Sequence, residues 1–102
     1  MSEIMLQLNF NFSVSKEEYE QAVFPLADKF AEVPGLKWKV WILNGEKSEA
    51  GGIYMFENKA SLDEFLAGPL AKTVTSHPAL SDFSVKQFGI MKDITKVTRG
   101  PV

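Results

Sequence analysis

Cysteine is absent and histidine occurs once among the 102 residues. Without cysteine there is no disulfide framework and no thiolate chemistry. One histidine and no cysteine leave a poor ligand set for a catalytic zinc ion, and no metal is expected. No apolar stretch approaches the roughly 18 residues that mark a membrane-spanning helix. The opening MSEIMLQL lacks the basic segment and apolar run of a secretory signal. Strong charge of either sign is also missing: the formal net charge is −2. That excludes a broad basic footprint for nucleic acid or an anionic membrane. Gly51-Gly52 opens an extended segment rather than a helix, so it is no phosphate-binding loop. These absences predict a soluble, cytoplasmic protein of one domain, residues 1–102, with room for a single core.

What the sequence does contain is periodicity. Residues 4–12 alternate, with Ile4, Leu6, Leu8, Phe10 and Phe12 on one side and Met5, Gln7, Asn9 and Asn11 on the other, which predicts a strand. Ser15-Lys-Glu-Glu18 is a capping box. Tyr19, Val23, Leu26, Phe30 and Val33 follow at helical spacing, with a kink predicted at Pro25 and a stop at Pro34-Gly35. Residues 36–43 alternate again. Trp38 is predicted to lie under the helices, and Trp41 on the opposite face with Lys37, Lys39 and Leu43. Asn44-Gly45 starts a turn into a third strand over 50–57. Ser61–Glu64 reads as a second capping box, and Leu62, Phe65, Leu66, Leu70 and Val74 as a second helix, broken near Gly68-Pro69. A last strand spans 82–91, and 93–102 shows little pattern.

The order βαββαβ is the ferredoxin-like α+β arrangement: a four-stranded antiparallel sheet with two helices on one face. The other face is expected to carry Trp41, Leu43, Tyr54, Phe56, Phe88 and Ile90 beside Asn9 and Asn11. An apolar patch of that extent implies a partner, so a homodimer through the sheet face is expected.

Few residues suggest chemistry. His77 could act as a base near neutral pH, or simply suit the C-terminal end of a helix. Asn9 and Asn11 are unusual in a strand and could line a ligand site or a wet interface. Gly51 and Gly52 could admit a flat ligand beside Tyr54, or permit a bulge or a close backbone pass. Trp38 and Trp41 could wall an aromatic substrate or only fill space. The carboxylates fall in helix segments with capping or solvated roles.

Pro34-Gly-Leu-Lys-Trp-Lys-Val-Trp41 and Glu49-Ala-Gly-Gly-Ile-Tyr-Met-Phe56 resemble the signature of the YdhR-type monooxygenases. That family lies in the dimeric α+β barrel superfamily, with the antibiotic-biosynthesis monooxygenases. The starting Leu-Gln-Leu-Asn-Phe and the Pro-Leu-Ala of the first helix fit as well. The resemblance implies a dimer that oxygenates a small phenol- or quinol-like compound with O₂ and no cofactor. On that reading His77, Asn9 and Tyr54 are the catalytic candidates. Trp38, Trp41, Asn11, Gly52 and Phe65 are the substrate-binding candidates. Gly68-Pro69 interrupts a helix that is continuous in relatives. The alternatives are a non-catalytic small-molecule-binding or stress-related dimer, a purely structural dimer and, more remotely, a heme-degrading relative, which would need its iron-binding histidine inside the second helix. An RNA-recognition module shares the element order but wants basic charge that this chain lacks.

Overall fold

Alternation in the first strand sets the architecture. In the computed structural model, which describes residues 2–102, β1 (Ile4–Phe12) buries Leu6, Leu8, Phe10 and Phe12 on one side. The chain then turns into α1 (Lys16–Val23), where the Ser15 hydroxyl accepts from the Glu18 amide at 3.1 Å, as the capping box requires. Pro25 cannot donate to a helical ladder. The helix tightens there into a single 3₁₀ turn, Phe24–Leu26, and resumes as α2 (Ala27–Ala31). Gly35, with φ of +80°, reverses the chain into the next strand.

β2 (Leu36–Asn44) and β3 (Glu49–Phe56) form a hairpin. Its turn is held by Asn44, whose side-chain oxygen accepts from the Lys47 amide at 3.2 Å. The second helical segment begins earlier than its sequence suggests. The cap is Asn58, whose side-chain oxygen accepts from the Ser61 amide at 2.8 Å, so Ser61 lies inside α3 (Lys59–Ala67). Gly68 ends α3 and Pro69 starts α4 (Pro69–Thr75), the break expected of that pair. β4 (Leu80–Gly89) and a short α5 (Lys92–Val97) complete the order. That last helix was not legible in the sequence.

The sheet order is β2-β3-β1-β4, with antiparallel pairing at each of its three interfaces. The chain therefore has the ferredoxin-like α+β fold. The core lies between one sheet face and the helices, where Tyr19, Phe30, Leu62, Phe65 and Ala71 meet Leu6, Leu8, Phe10, Tyr54 and Phe56.

Two face assignments must be corrected. β1 pairs Leu6 with Tyr54 and Ile4 with Phe56, and residues directly opposite project to the same side. Tyr54 and Phe56 are therefore core residues, 2% and 0% exposed, and not part of the open face. β2 carries a bulge. Leu36 lies opposite Phe56 and Trp38 opposite Met55, so Lys37 is one residue too many. A single inserted residue inverts every side chain after it. Lys39, Trp41 and Leu43 consequently lie opposite Tyr54, Gly52 and Ala50 on the helix face. Trp38, Val40 and Ile42 take the open face, the reverse of the expected arrangement of the two tryptophans.

The C-terminal segment closes one end of that open face. Trp38 Nε1–H donates to the Pro101 carbonyl at 3.2 Å. Glu3 is ion-paired to Lys37 and, at 3.4 Å, to Lys92. Its hydrogen bond from Lys37 keeps the carboxyl below the usual carboxylate range, against the opposing effect of burial. Met55, though on this side of the sheet, is fully buried.

Candidate functional site

The bulge has a chemical consequence. It swings Lys39 from the open face to the space beneath the helices. There its Nζ lies 3.5 Å from the ring centroid of Phe30, 3.4 Å from that of Trp41 and 4.6 Å from that of Tyr54. Phe30 comes from α2 and meets Trp41 edge-on, with centroids 5.2 Å apart and planes at 81°. Tyr54 packs on Phe65 of α3 at 5.2 Å, and Phe65 on Phe30 at 5.9 Å. The result is an aromatic cage around one ammonium. Among the described residues no carboxylate forms an ion pair with it.

The two glycines are explained by this site and by the strand beside it. A Cβ on Gly52 would fall 2.6 Å from Lys39 Cε and 3.0 Å from Tyr54 Cε1. Glycine here leaves the slot in which the lysine stem lies. A Cβ on Gly51 would fall 1.9 Å from the Leu8 carbonyl oxygen, inside the backbone of the neighbouring strand. Gly51 thus answers to the close pass of β1, and Gly52 to the cage.

Next to the ammonium lies a partly open apolar cavity of about 60 Å³, lined by Phe10, Tyr19, Phe30, Lys39, Trp41 and Tyr54, with His77 among its boundary residues. Burial in this setting lowers the Lys39 pKa to about 7. The ring faces act in the other direction, each favouring the cation by about 0.5–2 kcal/mol. Burial pushes the Tyr19 phenol up to about 12. The Tyr54 phenol is raised further, by burial first and by Tyr19 second. Both phenols stay neutral at neutral pH, so Tyr54 can orient a ligand but is a poor base. Lys39 can hold or release a proton near pH 7 and can pair with an anion.

The expected site residues separate into two groups. Tyr54, Trp41 and His77 border the cavity, and Gly52 and Phe65 support its aromatic wall. His77 is exposed, and its Nδ1 accepts from the Ala79 amide at 3.1 Å. Asn9, Asn11 and Trp38 lie on the opposite side of the sheet. There Asn9 Nδ2 donates to Glu49 at 3.3 Å and Asn9 Oδ1 accepts from Gln7 Nε2 at 3.3 Å, while Asn11 Nδ2 donates to Asp82 at 3.0 Å. The structure does not bring these three to the cavity.

Lys39 was missed by sequence reasoning because strict alternation put it with the solvated lysines. The readable signal was a lysine between two tryptophans, preceding a strand that opens with two glycines. Among the described residues no cluster of three or more histidine, cysteine, aspartate or glutamate side chains gathers to hold a metal.

Solved structures share the fold. SO0527 from Shewanella oneidensis aligns with a TM-score of 0.73 at 14% identity, over 87% of this chain and 91% of that one. SnoaB from Streptomyces nogalater, described as a cofactor-independent oxygenase, aligns with a TM-score of 0.73 at 19% identity, over 90% and 96%. A dimeric ferredoxin-like protein of unknown function from Thermobifida fusca aligns at 0.67 with 18% identity, over 87% and 92%. At such identities the likeness shows the fold, and function has to be argued from the site. The family model described as "Putative mono-oxygenase ydhR" matches residues 5–101, and the chain belongs to that family. No curated protein sequence matches it.

Proposed function

We propose that the protein is a monooxygenase of small phenolic compounds, with the cavity beside Lys39 as its active site. The observation that carries this reading is a caged amine, without an acidic partner among the described residues, facing an apolar cavity. A neutral Lys39 amine takes the proton of a bound phenol and becomes the ammonium that pairs with the phenolate. Where a second oxygen substituent or fused rings make the substrate electron-rich, its phenolate reduces O₂ directly. The ring carbon para to the hydroxyl loses its hydrogen and becomes a carbonyl. One oxygen atom enters the product quinone and the other leaves as water, so the substrate supplies all four electrons. Phe30 and Tyr54, which line the cavity, face the ring, and exclusion of water strengthens the ion pair. SnoaB supports the reading as a cofactor-independent oxygenase of the same fold.

Oxygen uptake over a panel of phenols and quinols, with quinone analysis, tests it. Lys39→Gln is expected to lower kcat/KM by about 100-fold or more, the range typical of losing a proton-transfer group. Asn9→Ala, on the far face, is expected to leave turnover unchanged. Equal activity of wild type and Lys39→Gln would remove the assignment. Saturable phenol binding without uptake would instead support a binding module.

The assembly belongs to the same proposal. On the open sheet face Val40 is 50% and Phe88 48% exposed, and Ile94 of α5 is 58% exposed. Two copies packed through these faces would cover them, in keeping with the dimeric Thermobifida fusca protein. Phe88→Glu is expected to shift sedimentation from dimer to monomer. A monomeric wild type at micromolar concentration would refute the dimer.

A further inference from the structure

We propose that Lys39 is also a covalent capture site for carbonyl compounds, its amine condensing with a small aromatic aldehyde in the cavity to form an imine. The amine nitrogen bonds to the carbonyl carbon, the carbonyl oxygen departs as water, and no electrons change hands. The inference rests on the reading that the cavity takes a ligand, and not on oxygen chemistry.

Four features of the site point the same way. First, no carboxylate among the described residues pairs with Lys39, so no counter-charge locks it as an ammonium. An ordinary lysine is neutral to roughly one part in 2,500 at pH 7, whereas burial has moved Lys39 to about 7. A desolvated lysine in an apolar pocket is the form in which this side chain serves as a nucleophile. Second, the protonated imine is again a cation at the same place. The faces of Phe30 and Trp41 that hold the ammonium at 3.5 and 3.4 Å can hold the iminium as well. Third, the cavity is apolar, so the water released has few polar partners there and hydrolysis is disfavoured.

The fourth feature is access. The inner space of about 60 Å³ is small for an aromatic ring. Trp41, however, stands on the edge strand, is 38% exposed, and borders two outer grooves as well. These measure about 310 and 270 Å³, and the second of them reaches Lys39 itself. Lys39 and Trp41 line both the inner space and the second groove, so the amine borders the outer groove as well, and the aromatic walls select a flat ring over an aliphatic chain.

The test uses the full chain, without oxygen, at pH 7, with benzaldehyde and cyanoborohydride to reduce any imine to a stable amine. Peptide mass spectrometry then locates the benzyl group. Lys39 is expected to carry about tenfold more label than any other lysine. Trp41→Ala, which removes one face of the cage and lets water reach the amine, is expected to label Lys39 more slowly and less selectively. Label spread evenly over the lysines, or Lys39 among the least labelled, would overturn the inference. Selective label at Lys39 in a protein that consumes no oxygen with any phenol keeps this inference and removes the oxygenase. Oxygen uptake without label at Lys39 does the reverse.

Discussion

Lys39→Met should give a more stable and inactive protein. Methionine matches the unbranched lysine stem and fills the same slot over Gly52, but carries no charge to desolvate. The expected gain is about 4 kcal/mol at pH 6, the linkage equivalent of a lysine that titrates at about 7 in place of 10.5. The sign of the pH dependence follows from linkage. The Lys39 pKa is lower in the folded protein, at about 7, than its ordinary value of 10.5. Between those values the unfolded chain binds more protons, so wild-type stability rises with pH across that window. The cost of the buried charge is full below pH 7 and is relieved as pH climbs toward 10.5. The difference between Lys39→Met and wild type should therefore be largest near pH 6 and close by pH 10. Denaturant midpoints of the two proteins at both pH values check this, since all other titrating groups cancel in the difference. A constant difference would show that Lys39 titrates as an ordinary lysine. Stability gained by deleting a polar group from a site is the usual trade against activity.

Gly51→Ala and Gly52→Ala should separate the two glycines by what each one accommodates. At Gly51 the new Cβ would sit 1.9 Å from a backbone oxygen of β1, which cannot move without breaking the central pairing of the sheet. A loss of about 3 kcal/mol or more is expected. At Gly52 the nearest atoms are the Lys39 stem and the Tyr54 ring. A flexible stem can give way, so the expected loss is about 1 kcal/mol, with Lys39 displaced from the cage. Urea unfolding gives the first effect. Disappearance of the anomalous Lys39 titration gives the second. Equal costs at the two positions would contradict the assignment.

Much of the fold was legible because its signals are local. Alternation in 4–12, the Ser15 capping box, the Pro25 kink and the Gly68-Pro69 break each follow from a few adjacent residues. The second helix cap was misplaced by three residues, since Asn58 and Ser61 are both good capping residues and sequence alone does not choose between them. The site was largely illegible for a different reason. Its geometry depends on one extra residue, Lys37, whose bulge is visible only once β2 is paired with β3. That residue decides that Lys39 and Trp41 enter the core side and that Trp38 leaves it. Tyr54 was assigned to the open face because β3 was read by itself. Its register with β1 is a long-range fact, and that register buries it. Asn9 drew attention as a polar residue in an apolar strand, yet its amide is used by Gln7 and Glu49 on the far side.

The central claim is that Lys39 sits in a ligand cavity as a titratable amine. The direct test is the pH titration of its side-chain Cε resonance by NMR, with and without a phenol. The account predicts a midpoint near 7 in the free protein, far below the other lysines, and an upward shift when the phenolate pairs with the ammonium. A Lys39 resonance that titrates with the rest near the ordinary value of about 10.4, and is unmoved by phenol, would contradict it.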